Sequence, residues 1–447
     1  MPHRASGAWR LASSSRAMAG ADMARPVPLP QARRADALGR REQTLIYGIL
    51  ALASLAYNYN FVVVDFIRPF LIKRAGMTLA ETAWLYTAQG SGVILGSFLV
   101  PVIVARFHAK PVLVTGALAL AALTATNLAA ESFAAWAASR FLVGIGLTAT
   151  YIASITMLAN LFPPRVRARL LGVNMAMFSI ALMGIGALGS AVGEGGWRTL
   201  LWVGVAGPLV VAVLVAAFLP SDRGLVVYAD EEVASEVSEQ RGSWREMLSG
   251  RRLWLTLACL VLAGLNFSAY QFYSGFITTY LTQVRHFSAE LTGLFVTIDG
   301  IGTLLGTLLW GWIADRYGRR VNAAGFALAA VFAIVFLVAP VSIPVLMLVE
   351  LGYAICLSCT NVWAAYFAEL FPVRLRPMGT SLFHGGHVIS IAAPLIVAGV
   401  AAHFSLTIGM ALAPLTFLAG AILWAALPET LKTSGLYRGF SAERAGR

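Results

Sequence analysis

Gly311-Trp312-Ile313-Ala314-Asp315-Arg316-Tyr317-Gly318-Arg319-Arg320 closes a long apolar run with an abrupt cluster of charge. A worn copy, Pro101-Val102-Ile103-Val104-Ala105-Arg106-Phe107-His108-Ala109-Lys110, stands 210 residues earlier in the same setting. An apolar run ending in a basic turn, duplicated across a chain, is the pattern of a membrane protein built from two repeats. Neighbouring segments repeat too. Gln89-Gly90-Ser91-Gly92-Val93-Ile94-Leu95-Gly96 matches Asp299-Gly300-Ile301-Gly302-Thr303-Leu304-Leu305-Gly306 at the same offset. Ala159-Asn160-Leu161-Phe162-Pro163 matches Ala368-Glu369-Leu370-Phe371-Pro372 at 209, and Arg140 falls opposite Glu350. Repetition with a period of half the chain predicts two pseudo-symmetric six-helix bundles, related by an axis along the membrane normal, with a path between them.

Composition sets the solvent. The chain has 447 residues, 58% hydrophobic and 12% charged, where soluble domains run near a quarter charged. A chain this apolar must face lipid. Apolar runs long enough to span a bilayer fall near 44–67, 83–105, 111–130, 134–158, 170–192, 198–219, 254–282, 289–313, 321–340, 343–366, 378–402 and 405–427. With the N-terminus inside, 27 of the 33 Lys and Arg fall on the inner side. Five lie outside (Arg68, Lys73, Arg74, Arg198, Arg285), and Arg140 lies within a span. That bias predicts a multi-pass protein of the cell's inner (plasma) membrane with both termini cytoplasmic. The net charge of +12 is thus a topology signal, and no nucleic-acid partner is implied. Cys259, Cys356 and Cys359 all sit in apolar runs, so no disulfide framework is implied.

The expected organisation is a tail (1–42), a first six-helix domain (43–219), a polar linker (220–252), a second six-helix domain (253–428) and a C-terminal tail (429–447). Residues 1–42 hold eight Arg and few acids. A transit peptide and an upstream misread start share that look; a disordered cytoplasmic tail is the expectation.

The two basic turns now gain a meaning. The pattern G-x-x-x-D-R-x-G-R-[KR] is intact as Gly311, Asp315, Arg316, Gly318, Arg319 and Arg320. The segment Glu369-Leu370-Phe371-Pro372-Val373-Arg374-Leu375-Arg376 follows E-x-x-P-x-x-x-R, and Leu427-Pro428-Glu429-Thr430 closes the last span. These motifs resemble those of the major facilitator superfamily over roughly residues 44–430. The resemblance implies its all-α fold of twelve transmembrane helices and secondary transport. Gating is expected from Gly311, Asp315, Arg316, Gly318, Arg319, Arg320, Glu369 and Arg374. Gly311 would permit close helix approach, Asp315 would pair with Arg or cap a helix, and Gly318 would supply a tight turn. In the first half the same positions hold Pro101, Ala105 and His108. Within the superfamily the chain is most similar to the proton-coupled symporters of metabolites and aromatic acids. Their D-G-x-D in helix 1, nine residues before a Pro, here reads Tyr57-Asn58-Tyr59-Asn60 before Pro69, and their Gly-Arg in helix 11 reads Gly386-His387.

Ionisable groups in lipid default to function, and depth sorts them. His387 lies roughly 16 Å above the basic face at 1.5 Å per residue, near the midplane. It can bind an anion when protonated, relay a proton, or simply be hydrogen-bonded. Asp299, roughly 24 Å up, can carry the coupling proton or pair within the bundle. Arg140 and Glu350, roughly 30 Å up, suit an outer gate or packing. Tyr57, Asn58 and Asn60 in the first span, and Asn266, Tyr270, Gln271 and Tyr273 in the seventh, occupy equivalent depths. They suit a polar substrate, or serve as interhelical glue.

No phosphate loop, HExxH or GxSxG occurs, so neither ATP-driven pumping nor an enzyme is expected, and no cofactor or metal. The expectation is a monomeric secondary transporter for proton-coupled uptake of a small organic anion. Drug or metabolite efflux, sugar uptake and a membrane nutrient sensor are the alternatives. The charge asymmetry makes topology testable. In a background lacking native cysteines, Lys73→Cys should react with an impermeant thiol reagent from outside intact cells, and Ser235→Cys should not; labelling of both would overturn the orientation.

Overall fold

A backbone amide in hydrocarbon has no water to bond, so an apolar run must satisfy its own N–H and C=O groups, which a helix does. The computed structural model describes residues 38–162, 164–221, 244–340, 342–372 and 375–434, and among these there is no strand. The rest of the predicted tails and linker, and Arg374, lie outside the described residues. Among the described residues, twelve helices are long and apolar enough to cross a membrane: α1 Arg40–Ala75, α2 Leu79–Phe107, α3 Ala109–Ala129, α4 Phe133–Leu161, α5 Leu170–Val192, α6 Glu194–Phe218, α7 Gly250–Gln283, α8 Ala289–Tyr317, α9 Arg319–Val338, α10 Ile343–Glu369, α11 Met378–His403 and α12 Leu406–Ala426. Large apolar side chains such as Phe98, Leu308, Val338 and Ile422 stand exposed around the outside, as lipid contact demands.

Local sequence sets the ends. Thr78 caps α2 in a reciprocal box with Glu81, and the side chains of Ser132, Ser288 and Ser405 cap α4, α8 and α12. The first helix runs further than its apolar stretch suggested, through Pro69 to Ala75, where Gly76 at φ 68° ends it. Asp65 and Arg68 lie inside that helix and pair at 2.6 Å. Arg68 is therefore a fully buried residue of α1 and not a loop charge, a correction to its place in the charge count.

Glycines explain the sequence repeat. A Cβ on Gly92 would fall on the Phe141 carbonyl and approach Gly144, and one on Gly302 would meet Ala354, so α2 packs on α4 as α8 packs on α10. Close backbone approach through small residues is what holds membrane helices, since lipid is as apolar as Leu. Within the first half α2 packs on α4 and α3 on α4 and α6; in the second, α8 packs on α10, α9 on α10 and α12, and α7 on α12. Across the halves α5 lies on α8 and α2 on α11, with α1 touching the end of α7. Gly186, Gly293 and Gly300 bring α5 and α8 together, each so close that a Cβ would sit 2.5–2.6 Å from the other helix. These contacts all lie in the half of the bundle away from the basic turns, here called the distal half.

The second half is more broken than the first. Residues Ser274–Phe276 interrupt α7, a 3₁₀ segment Ser358–Val362 interrupts α10, and α11 is cut around Gly386 and again before Ala393. Pro394 lacks the N–H that would bond the preceding turn. Irregular backbone at membrane depth is tolerated where it lines a cavity.

The glycine seam gives a test. Gly293→Val should force α5 from α8 and loosen the distal seal, lengthening the distance between spin labels on the distal ends of those helices. Gly311→Ala should leave it unchanged, because a Cβ there meets nothing within 4 Å; an unaltered distance in Gly293→Val would refute the seam.

Candidate functional site

The breaks and the seam leave a cavity between the halves of about 190 Å³. One water needs about 10–15 Å³ by the same kind of measure, so the space admits a small molecule. On α1 its wall is Ser54, Tyr57, Asn58 and Phe61, spaced as one face of a helix. Other contributors include Tyr86 of α2, Tyr151 of α4, Asn174 and Phe178 of α5, Asn266, Phe267 and Tyr270 of α7, Thr303 of α8, Asn361 of α10, and Phe383, His384 and His387 of α11.

Histidine and aromatic rings dominate. His387 stacks on Phe267 with centroids 3.8 Å apart and planes 19° apart, and meets the edge of Phe61 at 6.1 Å. One turn back, His384 lies 6.5 Å from His387 and 5.8 Å from Tyr151, which packs on Tyr57 at 4.9 Å. Rings from α1 and α4 thus face rings from α7 and α11 across the boundary between the halves. Amides complete the wall. Asn58 donates to the Ser54 carbonyl at 2.8 Å and Asn361 to Thr307 Oγ1 at 2.5 Å. Asn174 Oδ1 and Asn266 Oδ1 are buried with no protein partner, two unsatisfied acceptors on side chains that line the wall. No Asp, Glu, Lys or Arg is among the described residues of the wall. The pocket can hold a flat, small molecule by its faces and offer neutral hydrogen bonds, with charge only from a protonated histidine.

Of the residues singled out in the sequence, Tyr57, Asn58, Asn266, Tyr270 and His387 come together here. Asn60 does not. It donates to the Ala56 and Gly204 carbonyls at 3.0 and 2.9 Å and accepts from Thr124 at 3.0 Å, tying α1 to α3 and α6. It sits two positions off the lining face. Tyr273 also turns away, donating to Glu350 Oε2 at 2.7 Å and packing on Tyr353. Gln271 is fully buried beside Asp65 and Tyr86, off the wall. Asp299 is buried distal to the cavity, 3.4 Å from Thr303 Oγ1, near Tyr270, Tyr353 and Glu350. Arg140 holds Asn127 at 2.6 Å and Gln89 at 3.3 Å within its own half. The side-chain partners found for Arg140 and Glu350 thus lie within their own halves. His384 and Asn174 were missed. The spacing Phe383-His384-Gly385-Gly386-His387, two histidines one turn apart, was the readable signal for the first; Asn174 had none.

The intact motif builds a cluster at the basic end of the second half. Arg319 pairs with Asp315 at 2.5 Å and with Glu369 at 3.2 Å, and Thr430 bonds Glu369. Glu429, almost fully buried, accepts the backbone N–H groups of Arg319, Arg320, Thr430 and Leu431 at 2.9–3.0 Å. Gly318 has φ 114°, and a Cβ there would lie 2.5 Å from the Glu429 carboxylate, so only glycine fits. His108, its counterpart in the first half, holds φ 71° without that freedom. Arg316 has no carboxylate within pairing distance among the described residues and lies over the Trp312 and Tyr317 rings at 5.8 and 5.9 Å. Gly311 stands in open space, so the expected close approach is not its role. The acidic partners of the cluster all belong to the second half.

The sequence profile described as Major Facilitator Superfamily matches residues 46–366 and, overlapping, 265–445. The chain belongs to the Major Facilitator Superfamily. It is a membrane transporter and not an enzyme, as its relatives are. It is 25% identical to the niacin transporter of Acinetobacter baylyi over 78% of this chain and 86% of that one. It is 24% identical to the cis,cis-muconate transport protein of the same organism over 80% of this chain and 85% of that one. The inward-open xylose transporter of E. coli shares the fold, with TM-score 0.68 at 15% identity over 87% of this chain and 97% of that one. Superfamily membership leaves the basic cluster with an unequal division of labour. Asp315 is mostly exposed, and exposed i,i+4 pairs contribute about 0.3–0.5 kcal/mol. Glu429 satisfies four part-buried backbone donors. Glu429→Ala should therefore lower the thermal midpoint sharply, by the equivalent of about 3 kcal/mol or more, while Asp315→Asn should shift it little; comparable shifts would overturn this ranking.

Proposed function

We propose that this transporter carries a small organic anion, a carboxylate or aromatic acid, inward with protons by alternating access, with its basic end in the cytoplasm and acting as a monomer in the inner membrane. The observation that carries the reading is the His384–His387 pair in an aromatic cavity without a fixed charge. Flat walls favour a ring or a conjugated chain, and Asn174 and Asn266 offer acceptors to its polar substituents. A carboxylate needs a positive partner, and here that partner exists only when a histidine is protonated. An anion entering beside His387 favours the protonated ring. Proton and anion then load together, which is coupling by linkage. The names of the relatives, transporters of niacin and of muconate, fit this substrate class.

The distal seam closes the cavity from outside in this conformation, and movement of α1, α2 and α5 against α7, α11 and α8 would expose it there. The cluster of Asp315, Arg319, Glu369 and Glu429 would hold the basic end of the second half as one rigid piece during that movement, with Arg140 and Glu350 stiffening the distal layers. Asp299, just beyond the cavity, is the second candidate for the proton.

The sign of the pH effect follows. Protonated histidine predominates at low pH, so anion binding should strengthen as pH falls through the histidine range. His387→Gln should weaken binding of a benzoate-type acid about tenfold or more at acid pH, the loss of one charged hydrogen bond, and little at alkaline pH. His387→Arg should keep binding and flatten its pH dependence. Isothermal titration across pH reads both; a wild-type pH profile in His387→Gln would move the proton to Asp299.

A further inference from the structure

Directly beyond the cavity lies a charged pair that the proposed cycle leaves unused. Arg68 is fully buried in α1, and Asp65 nearly so. Only Arg68 Nη2 is engaged by a carboxylate, at 2.6 Å from Asp65 Oδ1. Arg68 Nε and Nη1 have no hydrogen-bond partner, nor has Asp65 Oδ2. A buried guanidinium with idle donors is costly.

What covers it belongs to the other half. The Phe276 ring lies 4.1 Å from the guanidinium carbon, and Thr278 donates to the Asp65 carbonyl at 2.8 Å. Both come from the broken end of α7. When that end leaves α1, the guanidinium loses its lid and faces the outside with its idle donors. On the inner side, Tyr86 is part of the cavity wall and lies close enough to sense both charges. Gln271 is buried beside Asp65 and Tyr86, with neither its Nε2 nor its Oε1 hydrogen-bonded. Polar groups thus lie between Arg68 and the cavity, whose described wall holds no fixed positive charge.

We propose that Arg68 is a second anion site, which docks the substrate's carboxylate at the outer mouth and passes it to the histidine cavity, with Asp65 serving as its internal counter-anion while the mouth is closed. This rests on the anion reading above. The planar fork suits a carboxylate, which can take two donors at once. Docking and internal pairing compete for the same guanidinium, so an arriving anion releases Asp65.

The competition predicts opposite signs. With benzoate, nicotinate and muconate as probes, uptake into right-side-out vesicles gives KM at the outer face. Equilibrium binding to the solubilised protein, sealed on its distal side, gives affinity at the histidine cavity. Arg68→Gln should raise KM about tenfold or more and leave solubilised binding within about twofold. Asp65→Asn should lower KM, since it frees the guanidinium, and Arg68→Lys should fall between wild type and Arg68→Gln. If the two single variants raise KM alike and Asp65→Asn/Arg68→Gln restores it, the pair is structural and the inference is overturned while the anion reading stands. If the wild-type protein binds none of the probes, the anion reading fails and the inference with it.

Discussion

Contact between helices in lipid has to come from shape, because the surroundings offer apolar surface no preference for protein over hydrocarbon. Small residues supply that shape here. Gly92 against Gly144, and Gly302 against Ala354, make each half a closely packed unit. Gly186, Gly293 and Gly300 do the same between the halves, but only distally. The cavity exists because the seam stops. Where α4 and α5 approach α10 and α11, rings and amides take the place of glycine, and those larger groups leave room between the halves.

Charge is distributed by the same economy. Fixed charges that cannot be neutralised are kept off the cavity wall. Arg140 is held by Asn127 and Gln89, Arg319 by Asp315 and Glu369, and Arg68 is paired through a single nitrogen with Asp65. Among the described residues, the polar groups of the wall are amides, hydroxyls and two histidines whose charge depends on a proton. A cavity of that kind can gain positive charge only by taking up a proton, whereas a fixed arginine at the same place would carry it always.

Much of this was legible before any coordinates. The apolar runs named the twelve helices, since lipid leaves the backbone no other solution. The duplicated turns gave the two halves and the family, and Gly386-His387 pointed to the cavity. The local reading failed where facing mattered. Asn58 and Asn60 look alike in sequence, yet one lines the cavity and the other bonds α3 and α6, because two residues turn a helix by more than half a revolution. Gly311 looked like a contact residue from its place in the motif, and it faces open space. Arg68 looked like a charge outside the first span, and it lies buried within the helix.

The sequence alone determined class, helix count and the repeated halves, because those follow from hydropathy, spacing and self-similarity along one dimension. Tertiary structure decided which polar groups meet. The stacking of His387 on Phe267, the pairing of His384 with Tyr151, and the lid that Phe276 places over Arg68 each join residues far apart in the chain. Helices that cross between two halves bring such groups together through their rotation and tilt, and those are set by the fit of small residues many turns away. No local pattern encodes them.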